Sequence, residues 1–145
     1  MQVNPKITFF IPDLENPIPT SFISGGIKAG FPSPAADFEE LKLSLDHLLV
    51  KNREATFYAK ASGNSMIGAG IDDGDILVID RSLEPRNNAI AVCLIDGEFT
   101  VKRIKKDNDE VYLMPENSQY QPIKIGEENE LIIWGIVTYA IKQMK

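Results

Sequence analysis

The sequence predicts a mainly β protein: a body of antiparallel strands, preceded by a short helix and an extended N-terminal arm. Three observations support this. Six of the nine prolines (Pro5, Pro12, Pro17, Pro19, Pro32 and Pro34) fall within residues 1–34. Apolar residues then recur at helical spacing at Phe38, Leu41, Leu45 and Leu48. From residue 55 onward, short apolar runs alternate with Gly, Asn and Asp turn residues, the pattern of an all-β body. A chain of 145 residues holds one domain with one sizeable core. The division falls near residue 35, with residues 1–34 as a flexible arm and 35–145 as the folded domain.

In the arm, repeated proline blocks regular helix and central strand, and Gly25-Gly26 adds a point of bending. Asp37 with Glu40 three residues on fits a capping box, and Ser44 could restart a second turn, which leaves one helix or two short ones. His47, the single histidine, sits on the polar side of this pattern and is expected to be solvated. The strands expected in the body are Thr56–Ala61, Asp75–Asp80, Ala89–Ile95, Glu98–Lys105, Glu110–Met114, Pro122–Ile125 and Leu131–Ile141. Trp134, in the last of these, is expected to be core in preference to interface.

Fifteen basic against twenty-one acidic residues give a net charge of −6. Such a surface repels phosphate backbones, so no direct DNA binding is expected. Cys93 is the single cysteine and lies in an apolar run, which predicts a buried thiol and no disulfide. The apolar run Ile7–Ile11 is ended by Pro12 and Asp13, too short for a signal peptide or a membrane span. The expectation is a cytoplasmic protein with no membrane attachment.

Two segments carry possible chemistry. In Ala61-Ser62-Gly63-Asn64-Ser65-Met66 a strand ends in a turn. Gly63, Asn64 and Met66 surround a serine that such a turn holds clear of the chain, with backbone N–H groups free to face an oxyanion. An ordinary loop has the same composition, so this segment alone is weak evidence. The second is Lys102. Asp96-Gly97 is a strong hairpin signal, and counting back from it pairs Leu94 with Phe99, Cys93 with Thr100 and Ala91 with Lys102. Lys102 then shares its face with Ala89, Ala91, Cys93, Thr100 and Ile104, and no carboxylate is closer than Glu98. A lysine is a poor base at its free pKa of about 10.4, and burial without a counter-ion is what lowers that value. A surface-strand lysine remains the commoner occurrence. For a serine hydrolase with so few acid–base groups, a Ser–Lys pair is the economical choice.

The strings Lys60–Met66, Ile71–Val78, Asp96–Arg103 and Leu113–Asn117 closely resemble the LexA/UmuD family of self-cleaving serine peptidases, and Ala29–Asp37 resembles the cleavage-site segment of its UmuD branch. The resemblance implies a LexA-like, β-clip-like body with Ser65 as nucleophile and Lys102 as general base. It implies a scissile bond between Ala29 and Gly30, with Ile27 in an apolar subsite. Ala29 stands where the familiar UmuD site has cysteine, although Ala-Gly is usual in the LexA branch. The resemblance further implies a homodimer, the RecA–single-stranded DNA filament as stimulus, and a UmuC-type translesion DNA polymerase as partner of the shortened form. No cofactor or metal is implied.

Three other readings stand beside this one. A signal-peptidase relative shares the serine loop but needs a membrane anchor. A LexA-like or phage-type repressor needs a helix-turn-helix domain of roughly 70 residues, for which the arm is too short. A regulator that works by protein binding, without a DNA-binding domain, remains open.

Overall fold

The computed structural model describes residues 8–23, 27, 29–30 and 40–144. These form ten strands, β1 (Phe9–Phe10), β2 (Thr20–Ile23), β3 (Glu40–Leu43), β4 (Thr56–Lys60), β5 (Ile76–Asp80), β6 (Ile90–Ile95), β7 (Glu98–Asp107), β8 (Glu110–Met114), β9 (Ile123–Ile125) and β10 (Leu131–Ile141). A single short helix, α1, spans Leu45–Leu49.

The chain divides into two compact units, one of residues 1–12 with 52–145 and one of residues 13–51. The breaks between these units fall at 12/13 and 51/52. Phe9 and Phe10 join the body by pairing antiparallel with Ala59 and Tyr58 of β4.

The larger unit is an antiparallel sheet in the order β1-β4-β5-β10-β6-β7-β8-β9. Seven strands were expected from residue 55 onward, and seven are present there with ends shifted by two residues at most. Alternation along β6 sends Val92 into one apolar cluster, with Ala59, Met66, Leu77 and Ile79. Its neighbours Ala91 and Cys93 go into a second cluster, with Ile104, Leu113 and Ile136. Both faces of the sheet are therefore covered, and each fully buried side chain such as Leu77 or Leu113 contributes about 1.5–3 kcal/mol.

Strand β10 is the long central element, pairing with β5 on one side and β6 on the other. Its register against β6 skips from Ile133 to Gly135, which leaves Trp134 as the extra residue of a bulge. Gly135 is required there, since a Cβ would lie 2.5 Å from the Ile79 Cγ2. The bulge turns Trp134 toward Phe9, whose ring stacks on it at 4.1 Å between centroids. Phe99 and Phe57 meet the indole edge-on, and the Arg81 guanidinium lies 4.3 Å over it. Trp134 is half-buried and packs against the first cluster, in line with its core assignment. The end of the chain is tied back by Lys142, whose Nζ donates to Asp72 (2.6 Å) and to the buried Asp75 (2.5 Å).

In the smaller unit, β2 pairs antiparallel with β3 from Thr20↔Leu43 to Ile23↔Glu40, and α1 follows. Two expectations are corrected here. Residues 40–43 form a strand and not the start of a helix, because Glu-Leu-Lys-Leu also alternates with period two and β2 supplies a partner. The helix begins only after Ser44, where the second turn was expected to restart, and Asp37 lies outside the described residues. The arm also contains strands, since Pro12, Pro17 and Pro19 flank β1 and β2 without interrupting them. His47 is exposed, as expected.

Candidate active site

The hairpin that carries Lys102 forms as the sequence requires. Asp96 and Gly97 adopt positive φ of 48° and 83°, the combination a two-residue turn needs. The register runs from Ile95↔Glu98 through Ala91↔Lys102 to Ile90↔Arg103, as counted from the turn. Lys102 therefore faces the second apolar cluster and is 8% exposed.

The serine loop approaches from the other side. Strand β4 ends at Lys60, and Gly63 turns the chain at φ +92°, a value that excludes most side chains. Ser65 follows in the turn, half-buried, and Met66 anchors the loop as a core residue at 3% exposure. The loop is held from two directions. The Gly63 N–H donates to the Asp73 carboxylate at 2.8 Å, and the Gly74 N–H donates to the Ala61 carbonyl at 2.8 Å. On the opposite side, the Ser65 carbonyl accepts from the Glu116 N–H at 2.7 Å, and the Asn64 carbonyl accepts from the Asn117 side chain at 2.9 Å.

The two segments meet at Lys102 Nζ, which lies 3.1 Å from Ser65 Oγ. The same nitrogen lies 2.7 Å from Thr100 Oγ1 and 3.1 Å from the Val101 carbonyl. Burial holds the Lys102 pKa below its ordinary value. A Cys93 thiolate would oppose that shift, but burial pushes the Cys93 thiol up to about 11, so it stays neutral at physiological pH. No carboxylate contacts Nζ among the described residues.

The geometry suits a neutral amine. If neutral, Nζ gives its two N–H bonds to Thr100 Oγ1 and the Val101 carbonyl, which leaves its lone pair for the serine proton; as an ammonium it donates to Ser65 Oγ as well. Ser65 opens onto a cavity of about 640 Å³ lined also by Ala61, Met66, Phe99 and Val101. Phe9 of β1 forms part of its wall. Among the described residues the N–H groups of Asn64 and Met66 make no hydrogen bond, whereas that of Gly63 is taken by Asp73. No group of His, Cys, Asp and Glu among them is arranged to hold a metal.

Of the residues singled out in the sequence, Ser65, Lys102, Gly63, Asn64 and Met66 come together. Ala29, Gly30 and Ile27 belong to the other unit, where all three are exposed. Sequence reasoning placed Thr100 on the lysine face without giving it a role, and it missed Phe9, Asp73, Glu116 and Asn117. The last three lie inside the motif strings, which was the available signal.

The family model described as Peptidase S24-like matches residues 21–138. Protein MucA of Salmonella typhimurium is 42% identical over 116 residues, covering 79% of each chain. Protein SamA of the same species is 38% identical over 117 residues, covering 81% of each. LexA repressor 1 of Geobacter sulfurreducens is 36% identical over 117 residues, which are 79% of this chain and 57% of the repressor. With a family match over most of its length and relatives at this identity, the chain belongs to the S24-like serine peptidases, the LexA/UmuD family.

Proposed function

We propose that the chain is a self-cleaving serine endopeptidase of the UmuD type, in which Ser65 and Lys102 cut the chain's own Ala29–Gly30 bond. The observation that carries the proposal is the 3.1 Å approach of Ser65 Oγ to a buried lysine that has no counter-ion among the described residues. In the reaction, neutral Lys102 takes the Ser65 proton while Oγ bonds to the Ala29 carbonyl carbon. The resulting oxyanion is stabilised by backbone N–H groups of the turn, those of Asn64 and Met66 among the available donors. Collapse breaks the bond to the Gly30 nitrogen, which receives the proton back from the Lys102 ammonium. Water, deprotonated by the same amine, then hydrolyses the acyl-serine. Small residues at the cut fit a backbone that must approach Oγ closely, and an apolar subsite suits Ile27.

The same family reading makes the reaction a single-use switch in the SOS response to DNA damage, set off by the RecA–single-stranded DNA filament in the cytoplasm. The shortened chain, acting as a homodimer, then serves as accessory subunit of a UmuC-type error-prone translesion polymerase. Partnership with a protein, and not with DNA directly, suits a net charge of −6. Purified Ser65→Ala and Lys102→Ala chains incubated at mildly alkaline pH test the chemistry. The parent is expected to cut slowly and neither variant at all, and continued cutting in Lys102→Ala contradicts the pairing.

A further inference from the structure

We propose that Arg103, Glu116 and Asn117 form a bracket that positions Ser65 against Lys102, an inference that rests on the Ser65–Lys102 reading above. Alternation along β7 gives neighbouring residues different tasks: Lys102 turns to the serine, and Arg103 turns away from it. The Arg103 Nε donates to the Glu116 carboxylate, and its Nη1 donates to the Asn88 carbonyl at 2.6 Å. Arg103 thereby links the strand that carries the base to the segment just past the end of β8.

That segment grips the serine loop through three hydrogen bonds, and a fourth fixes its own side-chain amide. The Glu116 N–H donates to the Ser65 carbonyl and the Glu116 carbonyl accepts from the Gly68 N–H, both at 2.7 Å. The Asn117 Nδ2 donates to the Asn64 carbonyl at 2.9 Å, and its Oδ1 accepts from the Gln119 N–H at 2.9 Å, which fixes the amide's orientation. The approach is close enough that a Cβ on Gly68 would meet the Glu116 carbonyl oxygen at 2.6 Å. Residues on both sides of Ser65 are thus registered to β7 through one ion pair and one side-chain amide.

The Arg103 and Glu116 side chains are 30% and 33% exposed, and a partly solvated pair of this kind adds little to global stability. Its effect lies in placement. A displacement of about 1 Å between reacting groups costs on the order of a hundredfold in rate.

The test measures covalent modification of Ser65 by a small fluorophosphonate, as a function of pH, in the full chain. This readout does not require the arm to be the substrate. In Arg103→Ala, Glu116→Ala and the isosteric Asn117→Asp, the high-pH plateau is expected to fall by at least about tenfold. The pH midpoint, set by burial of Lys102, stays at the parental value. Arg103→Lys, which keeps the charge, is expected to recover most of the plateau. A parental plateau with only a lowered melting temperature overturns the proposal, and so does a shifted midpoint, because the bracket would then act on ionisation and not on placement. A parent chain whose Ser65 stays unmodified at every pH overturns the dyad reading itself, and the bracket with it.

Discussion

Lys102 Nζ stands between Ser65 Oγ at 3.1 Å and Thr100 Oγ1 at 2.7 Å, so one side chain on its own strand aims the amine at a loop 37 residues away in sequence. Thr100 and Lys102 are two apart on β7 and therefore share a face, which makes this contact a consequence of the strand's alternation. The Thr100 hydroxyl accepts from the amine in either protonation state, more strongly from the ammonium. Thr100→Val is thus expected to move the pH midpoint of Ser65 reactivity downward, because the charged form loses more than the neutral one. The plateau is expected to fall by about tenfold as the amine loses its orienting partner.

Burial of Lys102, which has no ion pair among the described residues, has a cost in stability with a definite sign. The folded-state pKa of Lys102 lies below its ordinary value of 10.5, so the unfolded chain binds more protons between the two values. Stability is lowest below the folded pKa and rises as pH increases through that window. Cys93, raised from 9.0 to about 11, gives the opposite slope above pH 9. The comparison with Lys102→Met isolates the lysine. The Met variant is expected to melt higher than the parent near neutral pH, with a difference that shrinks as pH rises.

Cys93 is fully buried, and burial has pushed its thiol up to about 11. At pH 8 the folded protein is expected to resist a thiol-specific reagent for hours, and to react at one equivalent once denatured. Rapid labelling of the folded chain would contradict the closed face on which the Lys102 shift depends.

Phe9 stacks on Trp134 at 4.1 Å and lines the cavity beside Ser65. Phe9→Ala is expected to cost about 1–3 kcal/mol in denaturant unfolding. The emission of Trp134, the single tryptophan, is expected to shift to the red as its ring becomes more exposed. Unchanged emission would place the indole elsewhere.

Much of the hairpin that carries Lys102 was legible in the sequence because Asp96-Gly97 fixes the register locally, and a fixed register determines which residues share a face with Lys102. The serine loop was legible only as a turn, since what aims Ser65 comes from Asp73, Glu116 and Asn117, which lie ten to fifty-three residues from the loop residues they hold. No local pattern carries such contacts. The helical reading of residues 37–48 gave way at 40–43, where the same four residues satisfy both periods and β2 decides between them. Prolines in the arm lie outside strands β1 and β2, which Pro12, Pro17 and Pro19 flank. They did not show that Phe9 and Phe10, just before Pro12, had strand β4 to pair with.

The most direct test is a mass spectrum of the purified chain after incubation with RecA, single-stranded DNA and nucleotide, across a series of pH values. The expected result is a new species beginning at Gly30, formed faster as pH rises through the Lys102 pKa and absent in both Ser65→Ala and Lys102→Ala. An intact chain at every pH, a cut at another bond, or cleavage that survives loss of Lys102 would contradict the account.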